Sequence, residues 1–155
     1  MLKALRNTGI ALLAMVALSG TVEAADMSKQ VEARQSVMKL YGFYMGQLAG
    51  MAKGKMEYDA KTAEGAAKGM LALATLDSSK MWPPGSGNDA LGDKTRAKPE
   101  IWSTYPKVAE KSKDLVMALN GFVNVAGTGL DALRSQIGNV GKTCGGCHKP
   151  FREKK

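Results

Sequence analysis

The sequence contains a single histidine and only two cysteines among its 155 residues. One histidine excludes any catalytic or metal site that needs two imidazole groups, and two cysteines exclude a scaffold held by several disulfides. Aromatic residues make up only 6% of the chain, while 45% of the residues are hydrophobic. This is a globular composition, not a collagenous, disordered or multi-span membrane one. The length suits one domain, since two separate cores would each be too small to be stable.

A hydrophobic run long enough to cross a bilayer is also lacking. The run Ile10–Leu18 is nine residues long, whereas a membrane span needs about 20. It follows two basic residues and precedes the small-residue sequence Val22-Glu23-Ala24. This order is typical of a secretory signal peptide. We therefore expect residues 1–24 to be removed, and residues 25–155 to form a single-domain periplasmic protein without a membrane anchor.

Acidic residues are fewer than basic ones, 14 against 22, which gives a formal net charge of +8. A positively charged protein attracts acidic partners. The lysines are spread along the chain without interleaved aromatic residues, and nucleic acid is not an expected partner outside the cytoplasm. The charge therefore predicts acidic periplasmic protein partners and no nucleic-acid binding.

The mature chain has a helical pattern apart from the long loop Asp77–Lys98, which contains turn-forming proline and glycine. Four amphipathic helices are predicted, the third of them interrupted at Pro106. Their approximate bounds are Asp26–Lys53, Asp59–Leu76, Lys98–Ala126 and Thr128 to the C-terminus. With mostly short connections, these helices predict an all-α fold, an antiparallel up-down-up-down four-helix bundle.

A charged residue, Arg34, falls on the apolar face of the predicted first helix. A buried charge is costly unless something anionic meets it. Arg34 therefore faces a buried acid or the carboxylate of a ligand, or else it extends from the helix end to solvent, as arginine does on many surfaces. The sequence leaves both alternatives open.

Glycines recur at every fourth residue along one side of the same helix: Gly42, Gly46, Gly50 and Gly54. Each glycine costs about 1 kcal/mol relative to alanine in a helix interior, so the repeat needs a packing reason. We expect a neighbouring helix to approach this side closely. That helix belongs either to the same subunit or to the second subunit of a homodimer formed through the first helix.

The motif that carries chemistry is Cys144-Gly145-Gly146-Cys147-His148, near the end of the fourth helix. Its two thiols lie on one helical face and can add to both vinyl groups of one heme, with the imidazole over the iron, as in c-type attachment. A thioredoxin-like motif would follow a strand, a structural zinc site needs four ligands, and a disulfide would leave His148 without a role. We predict one covalent heme c attached through Cys144 and Cys147, with His148 as the proximal iron ligand.

With its only histidine used, the chain must fill the other (distal) side of the iron with methionine, lysine, a small exogenous ligand or nothing. The N-terminal half of the first helix should lie beside the C-terminal half of the fourth. This selects Met38 and Met45 and excludes Met51 and Met56. Met38 is preferred, since Arg34 one turn away would then pair with a heme propionate. The competing interpretation is that Met38 fills the core.

The mature chain resembles cytochrome c′ and its low-spin relatives of the cytochrome c-556 type, the class II c-type cytochromes. The resemblance implies a four-helix bundle with Arg152 beside the proximal histidine, Arg34 and Gln35 near the heme propionates, and Met38 at the distal position. High-spin and low-spin branches exist in this family, and Met38 alone does not decide between them. The similar segments, in chain order, are Arg34-Gln35, Gly92–Thr95, Lys98–Trp102, Cys144–His148 and Arg152.

Our prediction is an electron carrier with His148 and Met38 as axial ligands, because an iron that keeps both ligands reorganises little. The alternative is a five-coordinate protein that binds nitric oxide or carbon monoxide. Enzymatic activity is not expected, since no paired carboxylates, activated nucleophile or phosphate loop emerges. A cluster of basic residues near the motif should dock acidic redox partners. Its members are Lys142, Lys149, Arg152, Lys154 and Lys155.

Overall fold

The computed structural model describes residues 26–154, so the expected signal peptide at 1–24 lies outside the described residues. Among residues 26–154 the regular structure is helical, and one isolated bridge, between Ala97 and Arg152, pairs extended backbone. The α-helices are α1 (Ser28–Ala52), α2 (Ala60–Thr75), α3 (Asn88–Leu91), α4 (Glu100–Ser103), α5 (Lys107–Val123) and α6 (Leu130–Phe151).

The four long helices α1, α2, α5 and α6 pack as a closed ring. Helix α1 contacts α2 and α6, and α5 contacts the same two helices. Short connections join α1 to α2 and α5 to α6, which makes sequential neighbours antiparallel. The predicted antiparallel four-helix bundle is confirmed.

One apolar cluster, called the main cluster below, fills the centre of the bundle. Alanines of α2 let the neighbouring helices approach closely, while large side chains from the other three helices occupy the space between them. The buried members are Leu48, Met51, Ala63, Ala66, Ala67, Met70, Leu119, Phe122, Ala126, Leu133 and Val140. The bundle is therefore held by contacts that span all four long helices.

Local rules account for the helix boundaries. The Asp59 carboxylate accepts a hydrogen bond from the Thr62 amide at 2.6 Å and caps α2, as the sequence predicted. The predicted interruption at Pro106 divides the third element into α4 and α5. Past the end of α1, Gly54 adopts a φ of 67°, which glycine tolerates best, so it terminates the helix.

The expected packing role of the glycine repeat within the subunit is wrong for Gly42 and Gly46. A Cβ built on either residue would meet nothing within 4 Å. Only Gly50 of the helical three is approached, by Met56 of the following turn rather than by another helix. Within the described residues these two glycines face open space, and the homodimer alternative remains a prediction.

The segment between α2 and α5 packs on one end of the bundle. It contains 3-10 turns at Ser79–Met81 and Gly92–Lys94 in addition to α3 and α4. A second apolar cluster, called the end cluster below, joins this segment to the last turn of α6. Its buried members are Ala97, Ile101 and Phe151, and Trp82, Trp102, Val108 and Cys147 pack against them.

No helix among residues 26–154 has the length and apolarity needed to cross a bilayer.

Candidate functional site

Cys144, Cys147 and His148 lie in the last two turns of α6. The two thiols are half-buried and are not bonded to each other, and their spacing of three residues places them on the same helical face. Between them, a Cβ on Gly145 or Gly146 would meet nothing within 4 Å. Gly145 and Gly146 are exposed and point to other sides of α6 than the two thiols.

Burial sets the protonation of these three groups. It raises the pKa of the Cys144 thiol and, with help from Cys144, that of the Cys147 thiol. Burial also lowers the pKa of His148 below its usual 6.5, and the positive charges of Arg152 and Arg96 lower it further. An imidazole binds a metal in its neutral form, and this environment keeps His148 neutral at neutral pH.

Two different surroundings flank the motif. Tyr41 of α1 lies within electrostatic range of Cys144, and burial together with Cys144 raises the pKa of the Tyr41 phenol to about 12. Cys147 packs against the end cluster, beside Phe151. The motif therefore lies where α1, α6 and the segment before α5 come together.

The position of Met38 follows from the way α1 lies against α6. Arg134 donates a hydrogen bond from Nε to the Ala52 carbonyl at 2.8 Å, and Tyr41 lies near Cys144. These two contacts align α1 and α6 in opposite directions, so Met38, one turn before Tyr41, falls at the end of α6 that carries His148.

The side chain of Met38 is 44% exposed and belongs to neither apolar cluster. The interpretation that Met38 fills the core is therefore wrong. The other candidate, Met45, packs against the main cluster. Met51, which the sequence excluded, is a fully buried core residue.

Arg34 is 3% exposed, so the alternative that it extends to solvent is wrong. Its guanidinium donates hydrogen bonds to Ser86 Oγ at 2.7 Å and Thr95 Oγ1 at 2.9 Å, and to the carbonyls of Met81 and Ser86. All of these acceptors are neutral oxygens of the segment before α5. The expected anionic partner is therefore not among the hydrogen-bond acceptors of Arg34 within residues 26–154, and a contact with a heme propionate stays a prediction.

Gln35 and Arg152 lie at the two edges of the same region. Gln35 is exposed and donates from Nε2 to the Lys94 carbonyl at 2.9 Å. Arg152 is exposed, its amide donates to the His148 carbonyl at 3.0 Å, and its backbone pairs with Ala97. Arg152 thus lies beside the proximal histidine, but its action on a heme and that of Gln35 stay predictions.

Sequence reasoning missed Arg96, Ser86 and Tyr41. Arg96 approaches His148 only because the segment before α5 folds back onto the end of α6, and Ser86 meets Arg34 for the same reason. Such long-range pairings leave no local signal. Tyr41 did have a local signal in the sequence, since it lies three residues after Met38 on the helical face that meets α6.

The residues fit a covalent heme. Two free thiols on one face and a neutral imidazole next to them meet the requirements of the attachment motif. Met38 lies at the same end of the bundle with its thioether outside the core. His148 would bind the iron on one side, and Met38 is available for the other.

Residues 29–152 match the family described as "Cytochrome C'". A cytochrome c′ from Cereibacter sphaeroides is 37% identical over 142 residues, which cover 91% of this chain and 94% of that protein. A cytochrome c-554 from Cereibacter sphaeroides is 34% identical over 132 residues, covering 85% of this chain and 98% of the relative. The chain is therefore similar to proteins with both kinds of name.

Solved structures are similar along the whole bundle. A cytochrome c′ from "Rhodobacter Spheriodes" aligns with a TM-score of 0.81 at 36% identity, covering 84% of this chain and all of that one. A cytochrome c′ described by its unusual ligand-controlled dimer dissociation aligns at 0.74 and 31% identity, covering 85% and 100%. A nitric oxide complex of a cytochrome c prime variant from Alcaligenes xylosoxidans aligns at 0.71 and 30% identity, covering 86% and 100%.

Proposed function

The chain belongs to the cytochrome c′ family and binds one covalent heme c, and from this premise we propose that it is an electron carrier with His148 and Met38 as the axial ligands of its iron. Cys144 and Cys147 are the attachment residues in this proposal. The bound heme supplies the one-electron exchange between ferric and ferrous iron.

The observation that carries the proposal is the position of Met38 outside the core, at the end of α1 that lies beside the last turns of α6. A methionine on a bundle helix is ordinarily a core residue, and Met45, Met51 and Met70 behave in that way. Met38 does not, since 44% of it is exposed at the end of α1 that lies beside the last turns of α6. Its thioether is free to bind iron without loss of any packing in the main cluster.

Each protein group has a definite role. His148 stays neutral and holds the iron from α6, while Met38 holds it from α1, so both ligands are fixed by long helices of one bundle. A thioether ligand raises the reduction potential. Because both ligands remain bound in both oxidation states, little reorganisation accompanies electron transfer.

Basic side chains around the end of α6 support an acidic redox partner. Lys142, Lys149, Arg152 and Lys154 are all exposed, while Lys155 lies outside the described residues. A small contact made by such charges forms quickly and weakens with salt. A partner with an acidic patch would therefore dock here, close to the attachment motif.

The proposal also includes a periplasmic location and the lack of an enzymatic activity. Heme c is attached outside the cytoplasm, and the N-terminal sequence has the order of a signal peptide. We therefore assign the mature protein to the periplasm. The only histidine is used for iron, so the protein transfers electrons and does not catalyse a reaction.

A homodimer through α1 is also part of the proposal. Leu40 and Phe43 on α1 are 45% and 59% exposed, and residues three apart share a helical face. A second copy of the chain would cover them. The solved relative described by its dimer dissociation supports this choice of partner.

The alternative function is binding of nitric oxide or carbon monoxide by a five-coordinate iron. The observation in its favour is the similarity to a relative solved as a nitric oxide complex. In this alternative Met38 lines the distal side without binding the iron.

The absorption spectrum of the reduced protein, recorded with and without carbon monoxide, tests the choice. An electron carrier with two axial ligands gives a sharp low-spin α-band that carbon monoxide leaves unchanged. A broad high-spin band that shifts on addition of the gas would reject the His148/Met38 assignment and support the alternative.

A further inference from the structure

Four of the five N–H groups of the Arg34 guanidinium donate to one segment of the chain. Both terminal nitrogens donate twice, to oxygens of Met81, Ser86 and Thr95. The flat face of the same group lies over the ring of Trp82, with 4.7 Å between Arg34 Cζ and the ring centroid. A charged group that is 3% exposed needs this many partners, because burying it unpaired is costly.

These contacts tie α1 to the segment 81–95 at several separated points. Ser86 is itself fully buried and donates from Oγ to the Pro83 carbonyl at 2.7 Å. Thr95 is 5% exposed and its Oγ1 also accepts the Ala97 amide at 3.1 Å. Removal of Arg34 would therefore leave the buried hydroxyl and carbonyl oxygens of Ser86 without this donor, while Thr95 Oγ1 would keep only the Ala97 amide.

The far end of the same segment is tied to α6. Residues 96–98 run antiparallel to residues 151–153, with the Lys98 amide donating to Phe151 O at 3.0 Å and the Glu153 amide donating to Arg96 O at 2.8 Å. This pairing begins only three residues after His148. The segment is therefore fastened to the helix that carries the proximal ligand.

The end cluster joins the two attachments. Trp102 donates from Nε1 to the Trp82 carbonyl at 3.0 Å, which holds in place the ring that Arg34 covers. Trp82 and Trp102 pack with Phe151 and Cys147 in this cluster. A continuous path of contacts runs from Arg34 on α1 to the attachment cysteine on α6.

We propose that residues 81–98 form a strap between the two ligand-bearing helices, and that Arg34 is the positioning residue that fastens this strap to α1. Met38 lies one helical turn after Arg34, so the strap fixes the end of α1 on which the distal thioether is carried. As regards Met38, the inference rests on the proposed function. This positioning role of Arg34 is separate from its predicted contact with a heme propionate.

The test compares Arg34→Lys, Arg34→Gln and Thr95→Val with the wild-type holoprotein, and Ser36→Ala is the control. Lysine keeps the positive charge but cannot make the forked contacts. Thr95→Val removes one acceptor and leaves Arg34 in place. Ser36→Ala changes an exposed side chain that lies about 200° around the same helix from Arg34.

Hydrogen exchange of the amides of Lys98 and Glu153, which pair the segment with the end of α6, is the first readout. The strap predicts that exchange accelerates by about tenfold or more in both Arg34 variants, and by a smaller factor in Thr95→Val, with no change in Ser36→Ala. Wild-type exchange in Arg34→Lys, or in Thr95→Val, would overturn the proposal. Thr95→Val keeps the test decisive if neither Arg34 variant folds.

The second readout is the fraction of low-spin heme and the rate of carbon monoxide binding. The strap predicts less low-spin heme and faster carbon monoxide binding in all three variants. A propionate contact predicts instead that Arg34→Lys restores the wild-type spectrum and that Thr95→Val has no effect, which would overturn the strap. If the wild type itself is high-spin, the proposed function fails, while hydrogen exchange still decides whether the strap exists.

Discussion

The ring of Tyr44 on α1 covers Gly69 on α2 so closely that a Cβ on Gly69 would lie 2.6 Å from Tyr44 Cζ. No real Cβ makes such a contact, so Gly69 is the residue that allows these helices to approach at this point. Gly65, one turn earlier, has no such constraint, because nothing lies within 4 Å of its Cβ position.

This difference predicts opposite effects of the same substitution. Gly65→Ala should raise the free energy of unfolding by about 1 kcal/mol, because alanine favours the helix. Gly69→Ala should lower it by about 1–3 kcal/mol, because the Tyr44 ring must move out of a packed position. Urea unfolding of the two holoproteins measures both values. An equal gain in stability for both variants would contradict the close contact.

The helix boundaries and the attachment motif were predictable because they depend on local rules. Asp59 caps the helix that follows it, and Pro106 breaks the third element. The spacing from Cys144 to His148 is that of the heme-attachment motif. A family resemblance, carried by short segments in the right order, added the fold. None of these features needs knowledge of a distant contact.

The surroundings of Arg34 were not predictable for the opposite reason. Its charge on an apolar face signalled a buried partner, and an anion was the simplest expectation. The actual acceptors on Ser86 and Thr95 lie more than 50 residues away in sequence and meet Arg34 only after the segment before α5 has folded. The sequence indicates that Arg34 needs a buried partner, but only the folded structure shows which oxygens accept its hydrogen bonds.

The burial of the Tyr41 phenol predicts that the protein loses stability at alkaline pH. Burial raises its pKa to about 12, above the ordinary value of about 10, so the folded state favours the neutral phenol. The contribution of Tyr41 to stability is therefore fully present below about pH 10 and is lost as the pH rises towards 12. Tyr41→Phe should lose less stability than the wild type between these pH values, as measured by urea unfolding.

The control for this experiment is Tyr105→Phe, since Tyr105 is 72% exposed. Lysine titration in the same pH range is common to all three proteins and cancels in the comparison. Equal alkaline losses in the wild type and Tyr41→Phe would contradict the burial of the Tyr41 phenol.

The exposure of Phe43 on α1 predicts that two copies of the chain form a dimer through this helix. Phe43→Glu places a charge on the α1 face that a second copy would cover, and it should weaken self-association by about tenfold or more. Sedimentation equilibrium of the holoprotein measures the dissociation constant. Met117→Glu is the matched control, because Met117 is 65% exposed on a different helix. A monomeric wild type, or equal weakening by both variants, would contradict a dimer through α1.

Met38→Ala addresses the iron ligand directly. Removing the thioether should convert a low-spin, six-coordinate heme into a high-spin, five-coordinate one that binds carbon monoxide, and should lower the reduction potential, since a methionine ligand raises it. Met45→Ala is the matched control. It removes a methionine packed against the main cluster, so it should lower the free energy of unfolding while the low-spin spectrum persists. An unchanged spectrum in Met38→Ala, or loss of the low-spin band in Met45→Ala alone, would show that Met38 is not the iron ligand.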